Sequence, residues 1–515
     1  MLTISDGLQG QARQRPDQVA LVCGEEAVSY AELDRRVDAA AHLLWAQGVR
    51  PGDRVATLLP NGLVAAELLF AAARCGAVLC PLNPRSAPAE LAYLLGDARP
   101  SVLVGVPPLL DAAKPVLPPG TVTIPDLPLG APGEGYRQLR DAAASGPFPS
   151  QAAADSPWLL VYTSGTTGRP KGALRNQASD YLMGLMLAPA VGIGPGDVGM
   201  AWMPLFHVNS IWVVTLSVCV GTTCHIHAPL RFQPGALIAD LDRSGATYSM
   251  FVPSILGYLA DALERGDARC PNLRVLLTSS APLPPTLRDR LLAALPSADL
   301  VELYGATELG AVTLERHRAG QVGGTIGFPL PGVRVRLLGP DRKPVAPTEP
   351  GELFVESPQA MIGYFGRTAE TDAVRAGGYT GVGDLAVQDD AGRLRLVDRV
   401  ADTIITGGEN VYPTEVESVL MAHPAVFLAA VIGVPDERRG EAVAAAVVLR
   451  PGQSVAPAQL AAHCRAHLAA YKCPRTIVVA EELPLSMTGK VLRRRVRELW
   501  AEGALPSAEA AAPPD

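Results

Sequence analysis

One run of small and hydroxylated residues constrains this chain more than any other feature. Residues 163–172 have the sequence Thr-Ser-Gly-Thr-Thr-Gly-Arg-Pro-Lys-Gly, and they directly follow an apolar segment, residues 158–162, with the pattern of a buried strand. Backbone N–H groups in a glycine-rich turn can converge on an anion, and Lys171 adds a charge suited to a polyphosphate. The spacing differs from that of a P-loop. The run therefore predicts a different kind of loop that holds the phosphates of a nucleotide.

The segments around this loop alternate between strand and helix patterns. Strand-like residues 55–59 and 77–82 flank a helix-like segment at 65–75, and strands and helices alternate again from 274 to 304. Such alternation predicts a parallel sheet that is covered by helices. The stretch 115–157 is rich in Pro, Gly and Ala, which predicts a loop and linker region.

The pattern of predicted strands and helices changes twice in the second half of the chain. From about residue 320, short strand patterns separated by Gly and Pro turns predict a small β subdomain. After Asp398 the alternation returns over roughly 110 residues, which is an ordinary domain size. We therefore predict an α/β protein whose large N-terminal domain consists of packed helix-covered sheets plus the β subdomain, followed by a small mobile C-terminal α+β domain. The predicted boundaries are 1–398 for the N-terminal domain, 399–402 for a hinge and 403–515 for the C-terminal lid domain.

Composition excludes several classes of protein. The 515 residues carry a net charge of -7 and contain 48% hydrophobic residues, which fits a globular protein without the basic domain of a nucleic-acid binder. The longest apolar run, near residues 211–220, is shorter than the ~20 residues that span a bilayer. The start of the sequence lacks a signal-peptide pattern, and eight dispersed cysteines fit a reducing compartment. We expect a cytoplasmic enzyme without a membrane span; a homodimer stays open.

Several motifs, in the right order over almost the whole chain, resemble those of the adenylate-forming superfamily, which contains acyl-CoA synthetases, adenylation domains of peptide synthetases and firefly luciferase. Residues 162–172 resemble its phosphate-loop motif, and Tyr-Gly-Ala-Thr-Glu at 304–308 resembles its second core motif. The latter follows a predicted strand, and open α/β sheets bind ligands at that edge. The resemblance implies phosphate binding by Thr163, Ser164, Gly165, Thr166, Thr167, Gly168 and Lys171.

The second core motif supplies roles for the base, the phosphate and a metal. The resemblance implies that Tyr304 stacks on adenine, Thr307 contacts the α-phosphate and Glu308 holds Mg²⁺, with Gly305 and Ala306 completing the motif. A carboxylate suits this role because Mg²⁺ takes hard oxygen ligands, often one or two carboxylates together with phosphate. We therefore expect ATP and Mg²⁺ as cofactors.

An adenine-side loop is implied by Ser-Ser-Ala-Pro-Leu at 279–283, which follows another predicted strand. In this resemblance Ser280, Ala281 and Pro282 contact the nucleotide. The same residues would also suit an ordinary turn before a helix, and this alternative stays open.

Residues near the predicted hinge are implied to bind the ribose. A carboxylate at Asp384 can accept hydrogen bonds from both ribose hydroxyls. The glycines before it mimic a dinucleotide fingerprint, but that fingerprint needs a following helix, whereas a strand–turn–strand pattern follows here. Arg399 resembles an arginine that contacts ribose and phosphate, with an interdomain salt bridge as the alternative. Family members usually carry Asp or Lys two residues later, and Ala401 stands there, which puts the pivot's side-chain contacts in doubt.

The C-terminal region resembles the part of the family that completes catalysis. Gly407 and Gly408 resemble a loop that lines the thiol tunnel, although a tight turn would also explain them. Lys490 resembles the catalytic lysine that bridges the substrate carboxylate and the α-phosphate, where a positioned ammonium stabilises developing negative charge. The nearby Arg493, Arg494, Arg495 and Arg497 predict a solvated helix face. Catalytic roles are implied for Thr166, His207, Glu308 and Lys490.

The acyl pocket is implied only by resemblance. Pro-Leu-Phe-His at 204–207 resembles the motif that gates carboxylate entry, although His207 could also be an ordinary core histidine. Small residues at three of the implied positions suggest room for an acid larger than acetate, such as an aromatic, alicyclic or fatty acid. The implied pocket residues are His207, Val208, Phe251, Ala281, Gly305 and Gly310.

The predicted activity has two steps. The acid is activated by ATP as its acyl-adenylate, with release of pyrophosphate, and the acyl group then passes to a thiol, which we expect to be that of coenzyme A. One alternative is a stand-alone adenylation enzyme that loads a carrier protein, and it shares every motif above. A non-catalytic nucleotide-binding regulator is disfavoured because Glu308 and Lys490 are both present.

Overall fold

The computed structural model describes most of the chain, and the statements below concern that part. The described residues are 2–128, 131–163, 169–229, 233–321, 324–346, 348–485 and 491–505, with the backbone of 509–510. They form two compact units. The first unit consists of Met1–Gly323, Gly327–Val335 and Val355–Thr380, and the second of Gly324–Ile326, Arg336–Phe354 and Gly381–Asp515.

Helices and strands alternate through much of the chain, as predicted. The helices are α1 (Ile4–Gln14), α2 (Tyr30–Ala46), α3 (Leu63–Cys75), α4 (Pro88–Ala98), α5 (Pro107–Ala113), α6 (Tyr136–Asp141), α7 (Gln177–Val191), α8 (Val208–Val220), α9 (Pro234–Ser244), α10 (Pro253–Arg265), α11 (Pro285–Ala294), α12 (Thr368–Ala373), α13 (Pro413–Ala422), α14 (Pro457–His467) and α15 (Arg493–Ala501). The strands up to residue 316 are β1 (Val19–Cys23), β2 (Glu26–Ser29), β3 (Arg54–Leu58), β4 (Val78–Pro81), β5 (Val102–Gly105), β6 (Val122–Pro125), β7 (Pro157–Thr163), β8 (Lys171–Asn176), β9 (Val198–Ala201), β10 (Thr223–Ile226), β11 (Tyr248–Phe251), β12 (Val275–Thr278), β13 (Asp299–Ala306) and β14 (Gly310–Arg316). The remaining strands are β15 (Phe328–Pro329), β16 (Arg334–Leu338), β17 (Gly351–Glu356), β18 (Gly363–Tyr364), β19 (Arg375–Ala376), β20 (Tyr379–Gln388), β21 (Leu394–Arg399), β22 (Ile404–Thr406), β23 (Glu409–Val411), β24 (Val426–Asp436), β25 (Gly440–Leu449), β26 (Thr476–Val479) and β27 (Glu509–Ala510).

Two large mixed sheets form the framework of the first unit. Over the described residues, one sheet has the order β15-β14-β13-β12-β11-β9-β10-β1-β2 and the other β18-β8-β7-β4-β3-β5-β6. The inner strands of both sheets run parallel, for example β12 with β13 and β3 with β4, whereas β7 and β8 are antiparallel. This arrangement confirms the predicted α/β class, since strands joined through helices return in the same direction.

Helices cover these sheets with apolar side chains. On one face of the first sheet, Leu237, Leu256 and Leu259 of α9 and α10 pack against strand residues such as Leu276 and Leu300. Each such side chain contributes about 1.5–3 kcal/mol when it is fully buried. The apolar run near 211–220 lies in the buried helix α8, which confirms its interpretation as a core element. No helix among the described residues is both long and apolar enough to cross a bilayer.

One sequence prediction about this unit was wrong. The stretch 115–157 was predicted to be a loop and linker region, but it contains β6 and α6. β6 adds an edge strand to the second sheet, and Tyr136 of α6 is fully buried. The prediction failed because the proline and glycine content of this stretch indicates loops, whereas tertiary packing stabilises a short strand and a short helix within it.

The short strands predicted after residue 320 are present. They form a sheet with the order β16-β17-β20-β19, in which β21 also pairs with β20. The C-terminal residues form a further sheet with the order β23-β22-β25-β26-β27, and β24 pairs with β25. Alternate residues of β24 and β25 belong to two different apolar clusters, so both faces of this sheet are covered. The predicted hinge at 399–402 concerns motion and stays a prediction.

Candidate active site

The two ends of the predicted phosphate loop are fixed side by side. β7 ends at Thr163 and β8 begins at Lys171, and these two residues are partners in the antiparallel register of the two strands. The intervening Ser164, Gly165, Thr166, Thr167 and Gly168 lie outside the described residues, so their phosphate-binding roles stay predictions. The structure thus brings Thr163 and Lys171 together at the end of one strand pair.

Glu308 lies beside this strand pair. The hydroxyl groups of Thr163 and Tyr364 each donate a hydrogen bond of 3.1 Å to the same oxygen, Glu308 Oε1. The ammonium of Lys171 lies 5.1 Å from the centre of the Tyr364 ring. Three predicted site residues therefore converge, although they are up to 145 positions apart in the sequence. Tyr364 was missed, because a single tyrosine in a short strand has no spacing that marks it.

The environment of Glu308 fits a divalent cation. Only 9% of the residue is exposed, and among the described residues its carboxylate makes no ion pair with Lys, Arg or His. A buried carboxylate without a positive partner costs free energy, and two neutral hydroxyl donors do not supply the missing charge. Mg²⁺ prefers an oxygen ligand of this kind.

The hairpin of β13 and β14 carries Glu308 in its turn. The register of the two strands shifts between Tyr304 and Gly305, which marks a bulge. A Cβ atom at Gly305 would overlap the carbonyl of Gly310, and Gly310 itself has a φ of +79° and packs against Gln359. Both glycines are therefore required by the backbone of the hairpin, and their small size says nothing about the width of an acyl pocket.

The adenine-side loop is attached to the same hairpin. β12 ends at Thr278, which pairs with Glu302 of the neighbouring parallel strand. Glu302 accepts a hydrogen bond of 3.3 Å from the backbone N–H of Leu283, and its other oxygen lies 3.0 Å from His317 Nε2. Ser280 has a φ of +78°, an uncommon conformation for a residue other than glycine. The nucleotide contact that was predicted for Ser280 stays a prediction.

The candidate acyl-pocket residues lie at helix and strand ends in the first unit. His207 is the N-cap of α8, and its Nδ1 accepts a hydrogen bond of 3.4 Å from the N–H of Asn209. Val208 and Phe251 are buried, whereas His207 is half-buried. The roles of these residues, and those of Tyr304, Ala306, Thr307, Ala281 and Pro282, stay predictions.

In the second unit the structure places the two predicted ribose residues together. Asp384 and Arg399 are partners in the register of β20 and β21, and Arg399 Nε donates a hydrogen bond of 3.0 Å to Asp384 Oδ1. About half of the Arg399 side chain is exposed. The neighbouring Glu352 has a raised pKa, chiefly because it is buried, although the Arg342 guanidinium and the N–H of Gly383 partly offset this.

Of the remaining predicted residues of the second unit, the structure describes Gly407 and Gly408 but not Lys490. Gly407 and Gly408 have φ values of +60° and +88° between β22 and β23, so a tight two-residue turn accounts for both glycines. Their proposed contact with a thiol arm stays a prediction. Lys490 lies outside the described residues, whereas Leu485 and Val491 on either side of it form an antiparallel bridge.

The predicted solvated arginine face is wrong for Arg493. Its guanidinium lies within 2.6 Å of Glu417, 3.2 Å of Asp402 and 3.4 Å of Asp398, and its pKa is raised by these carboxylates despite burial. Arg497 pairs with Asp402 at 2.9 Å. Arg494 and Arg495 pair with Glu498 on the helix surface, as a solvated face requires.

Helix-covered sheets carry Thr163 and Lys171 at the ends of one strand pair, beside a buried carboxylate that has no ion-pair partner among the described residues. This combination fits a nucleotide-dependent ligase of the adenylate-forming class. The family model of the AMP-binding enzymes matches residues 8–365, and that of the AMP-binding enzyme C-terminal domain matches residues 415–490. The chain therefore belongs to the AMP-binding enzyme family, and it is an ATP-dependent acid–thiol ligase of the acyl-CoA synthetase type.

Individual relatives agree with this assignment over nearly the full length of the chain. A feruloyl-CoA synthase of an Amycolatopsis species is 36% identical over 490 residues, which cover 95% of this chain and 97% of the relative. A fatty acid–[acyl-carrier-protein] ligase, ScoC of Streptomyces coeruleorubidus, is 32% identical over 96% of each chain. The crystal structure of ATP-bound MatB from Rhodopseudomonas palustris has a TM-score of 0.88 at 30% identity, covering 96% of this chain and 99% of MatB.

Proposed function

We propose that this ligase activates an aromatic, alicyclic or fatty acid with Mg-ATP at the site around Glu308 and passes the acyl group to free coenzyme A. The observation that carries the site is the buried Glu308 carboxylate, which has two hydroxyl donors and no ion-pair partner among the described residues. Glu308 would hold Mg²⁺ there, and the ion would supply positive charge against the phosphates. Thr163, Lys171 and Glu308 then hold the nucleotide.

The proposed reaction has two steps. The carboxylate of the acid attacks the α-phosphorus of ATP, pyrophosphate leaves, and an acyl-adenylate forms. The thiol then attacks the acyl carbon, and AMP leaves as the thioester forms. Lys490 stabilises the negative charge that gathers during the first attack, and residues 399–402 serve as the hinge between the two steps. Asp384 and Arg399 are proposed to bind the ribose.

The class of acid is supported by the relatives and not by the size of Gly305 or Gly310. A feruloyl-CoA synthase and an indoleacetate–CoA ligase, at 36% and 32% identity, act on aromatic acids by their names, and a long-chain fatty acid ligase is 33% identical. We therefore propose an aromatic acid as the first choice within the wider class. A reducing compartment is supported by eight cysteines, all of which are unpaired.

A screen of pyrophosphate release tests both the acid and the acceptor. Benzoic, cinnamic, phenylacetic, cyclohexanecarboxylic and long-chain fatty acids are each supplied with ATP and Mg²⁺, with free coenzyme A or with a phosphopantetheinylated carrier protein. We expect thioester formation with coenzyme A and an aromatic acid. A thioester on the carrier protein alone would instead support the stand-alone adenylation enzyme, for which the similarity to ScoC is the specific observation.

The role of Lys490 has its own test. We expect Lys490→Ala to slow acyl-adenylate formation by about 100-fold or more, since the loss of one positioned charge at a reacting centre costs roughly that much. The isotope exchange between pyrophosphate and ATP measures this step alone. An exchange rate in Lys490→Ala equal to that of the unmodified enzyme would contradict the proposed role.

A further inference from the structure

An ion pair that no motif marks lies behind the turn that carries Glu308. Arg175 is in β8 and Asp180 is in α7, and both side chains are 0% exposed. Arg175 Nε donates to both Asp180 oxygens, at 2.9 and 3.0 Å, and its Nη2 lies 2.8 Å from Asp180 Oδ1. The pair lies wholly inside the first unit.

Aromatic side chains fix the Asp180 carboxylate from the other side. The indole N–H groups of Trp158 and Trp212 donate to its two oxygens, each at 2.9 Å. The Arg175 guanidinium lies 5.4 Å from the centre of the Trp212 ring. With three donor groups around it, the carboxylate has a single orientation, and it therefore determines the orientation of the planar guanidinium.

The guanidinium also donates hydrogen bonds to two backbone carbonyls, one in the β13–β14 hairpin and one in a neighbouring segment. Arg175 Nη1 donates a hydrogen bond of 2.6 Å to the carbonyl of Thr307, the residue before Glu308. Its Nη2 donates to the carbonyl of Gln359 at 3.0 Å. The planar guanidinium thus holds Thr307, at the start of the turn, and Gln359 at a fixed separation.

The neighbouring segment holds the rest of the turn. The side-chain oxygen of Gln359 accepts a hydrogen bond of 2.8 Å from the N–H of Ala311, and the N–H of Met361 donates at 2.9 Å to the carbonyl of Glu308. The backbone is therefore tied at Thr307, Glu308 and Ala311. These ties leave the Glu308 side chain little freedom to move away from Thr163 and Tyr364.

We propose that Arg175 is a positioning residue that, oriented by Asp180, fixes the Glu308 carboxylate for the metal of Mg-ATP. The inference rests on the proposed function, because it concerns the same site. A buried ion pair often adds no net stability over well-packed apolar residues, so the presence of this pair is consistent with a positioning role. The Asp180 charge balances that of Arg175, so the guanidinium can hold the turn without repelling a nearby cation.

Partners of this kind have large effects on metal affinity. Groups that orient a metal ligand without touching the metal change metal affinity or activity by about 10- to 100-fold when they are replaced. Arg175→Lys keeps the positive charge beside Asp180, but an ammonium cannot bond two backbone carbonyls and the carboxylate in the planar geometry of a guanidinium. We therefore expect the Arg175→Lys variant to fold but to bind the metal more weakly than the unmodified protein.

The experiment measures Mn²⁺ binding by electron paramagnetic resonance in the presence of α,β-methylene-ATP, which cannot release pyrophosphate. In Arg175→Lys the dissociation constant of Mn²⁺ should rise about 10- to 100-fold. The matched control is Arg140→Lys, since Arg140 pairs with Glu67 at 2.6 Å, is only 5% exposed in the same unit, and has no hydrogen bond to the hairpin among those described. This control should bind Mn²⁺ within about twofold of the unmodified protein.

The outcomes separate the inference from the proposed function. If the unmodified protein binds Mn²⁺ no better with the nucleotide analogue than without it, the proposed function fails. If it does bind Mn²⁺ and folded Arg175→Lys binds equally well, or if Arg140→Lys loses as much, the positioning role is overturned. Should Arg175→Lys not fold, Gln359→Met serves instead: it removes the acceptor for the Ala311 N–H but leaves the ion pair in place, and a several-fold loss of Mn²⁺ affinity is expected. No loss in this variant would equally overturn the role.

Discussion

Two regions of the molecule that carry functional motifs are held by arginines in different ways. In the first unit, Arg175 has one carboxylate partner, Asp180, and both side chains are fully buried. In the second unit, Arg493 is 17% exposed and is shared among three carboxylates at distances from 2.6 to 3.4 Å. A single buried pair in which each guanidinium nitrogen donates a hydrogen bond specifies one geometry. The charge of Arg493 is instead balanced by a network of carboxylates, each of which also has other donors.

The largest expected difference follows from removing each arginine. Arg175→Met leaves the Asp180 charge buried without a cation, which costs about 3–5 kcal/mol of the free energy of unfolding. Arg493→Met leaves carboxylates that still have other donors, for example Arg497 beside Asp402, so we expect a loss of about 1–3 kcal/mol. Urea denaturation of the full chain, followed by circular dichroism, measures both. Equal losses in the two variants would remove the distinction between the regions.

The sequence could predict the site residues that stand in motifs, but not those that stand alone. Thr163, Lys171 and Glu308 were predicted together because each stands in a short motif that resembles one of the adenylate-forming superfamily, although the motifs lie in two different sheets. Arg175 and Tyr364 could not be found in this way. They are isolated residues, and their contacts with the hairpin arise only when chain segments more than 50 residues apart pack together.

The wrong prediction for Arg493 has a more specific cause. A run of arginines looks solvated as a whole, because helix faces are not visible in a short polar segment. In α15, Val496 is fully buried, and Arg493 lies three residues before it, on the same face of the helix. That spacing can be read from the sequence, but it identifies the buried face only once the structure shows that residues 493–501 form a helix with Val496 inside.

A smaller loss of stability is expected when the aspartate partner of each arginine is replaced by asparagine. Asp180→Asn places amide hydrogens against the N–H groups of Arg175 and the tryptophans, with a loss of about 2–3 kcal/mol. Asp402→Asn removes one of three carboxylates around Arg493 at a side chain that is 18% exposed, so the loss should stay below about 1 kcal/mol. Denaturation midpoints of the two variants give the comparison. A larger loss in Asp402→Asn than in Asp180→Asn would reverse our view of which region is fixed.

The smallest expected effect concerns two carboxyl groups of opposite behaviour, Asp197 in the first unit and Glu352 in the second. Burial would raise the pKa of Asp197, but the Arg274 guanidinium and the N–H of Gly194 outweigh it, and the net pKa is lowered. Burial raises the pKa of Glu352, and the Arg342 guanidinium offsets this effect only in part. Asp197 therefore adds stability above its ordinary pKa of 3.8, and this contribution is lost as the pH falls below that value.

The sign is reversed for Glu352, because a raised pKa makes its charged form the costly one. Its cost is absent below the ordinary pKa of 4.5 and develops as the pH rises through the higher folded-state value. At pH 7, Asp197→Asn should lower the free energy of unfolding by about 1–2 kcal/mol, since a charged hydrogen-bond acceptor is lost. Glu352→Gln should raise it by less than about 1 kcal/mol, because removing a partly exposed charge has a small effect. Denaturation at pH 7 and near pH 4 tests both signs, since the gain in Glu352→Gln should shrink at the lower pH. A gain that is the same at both pH values would show that it comes from packing and not from charge.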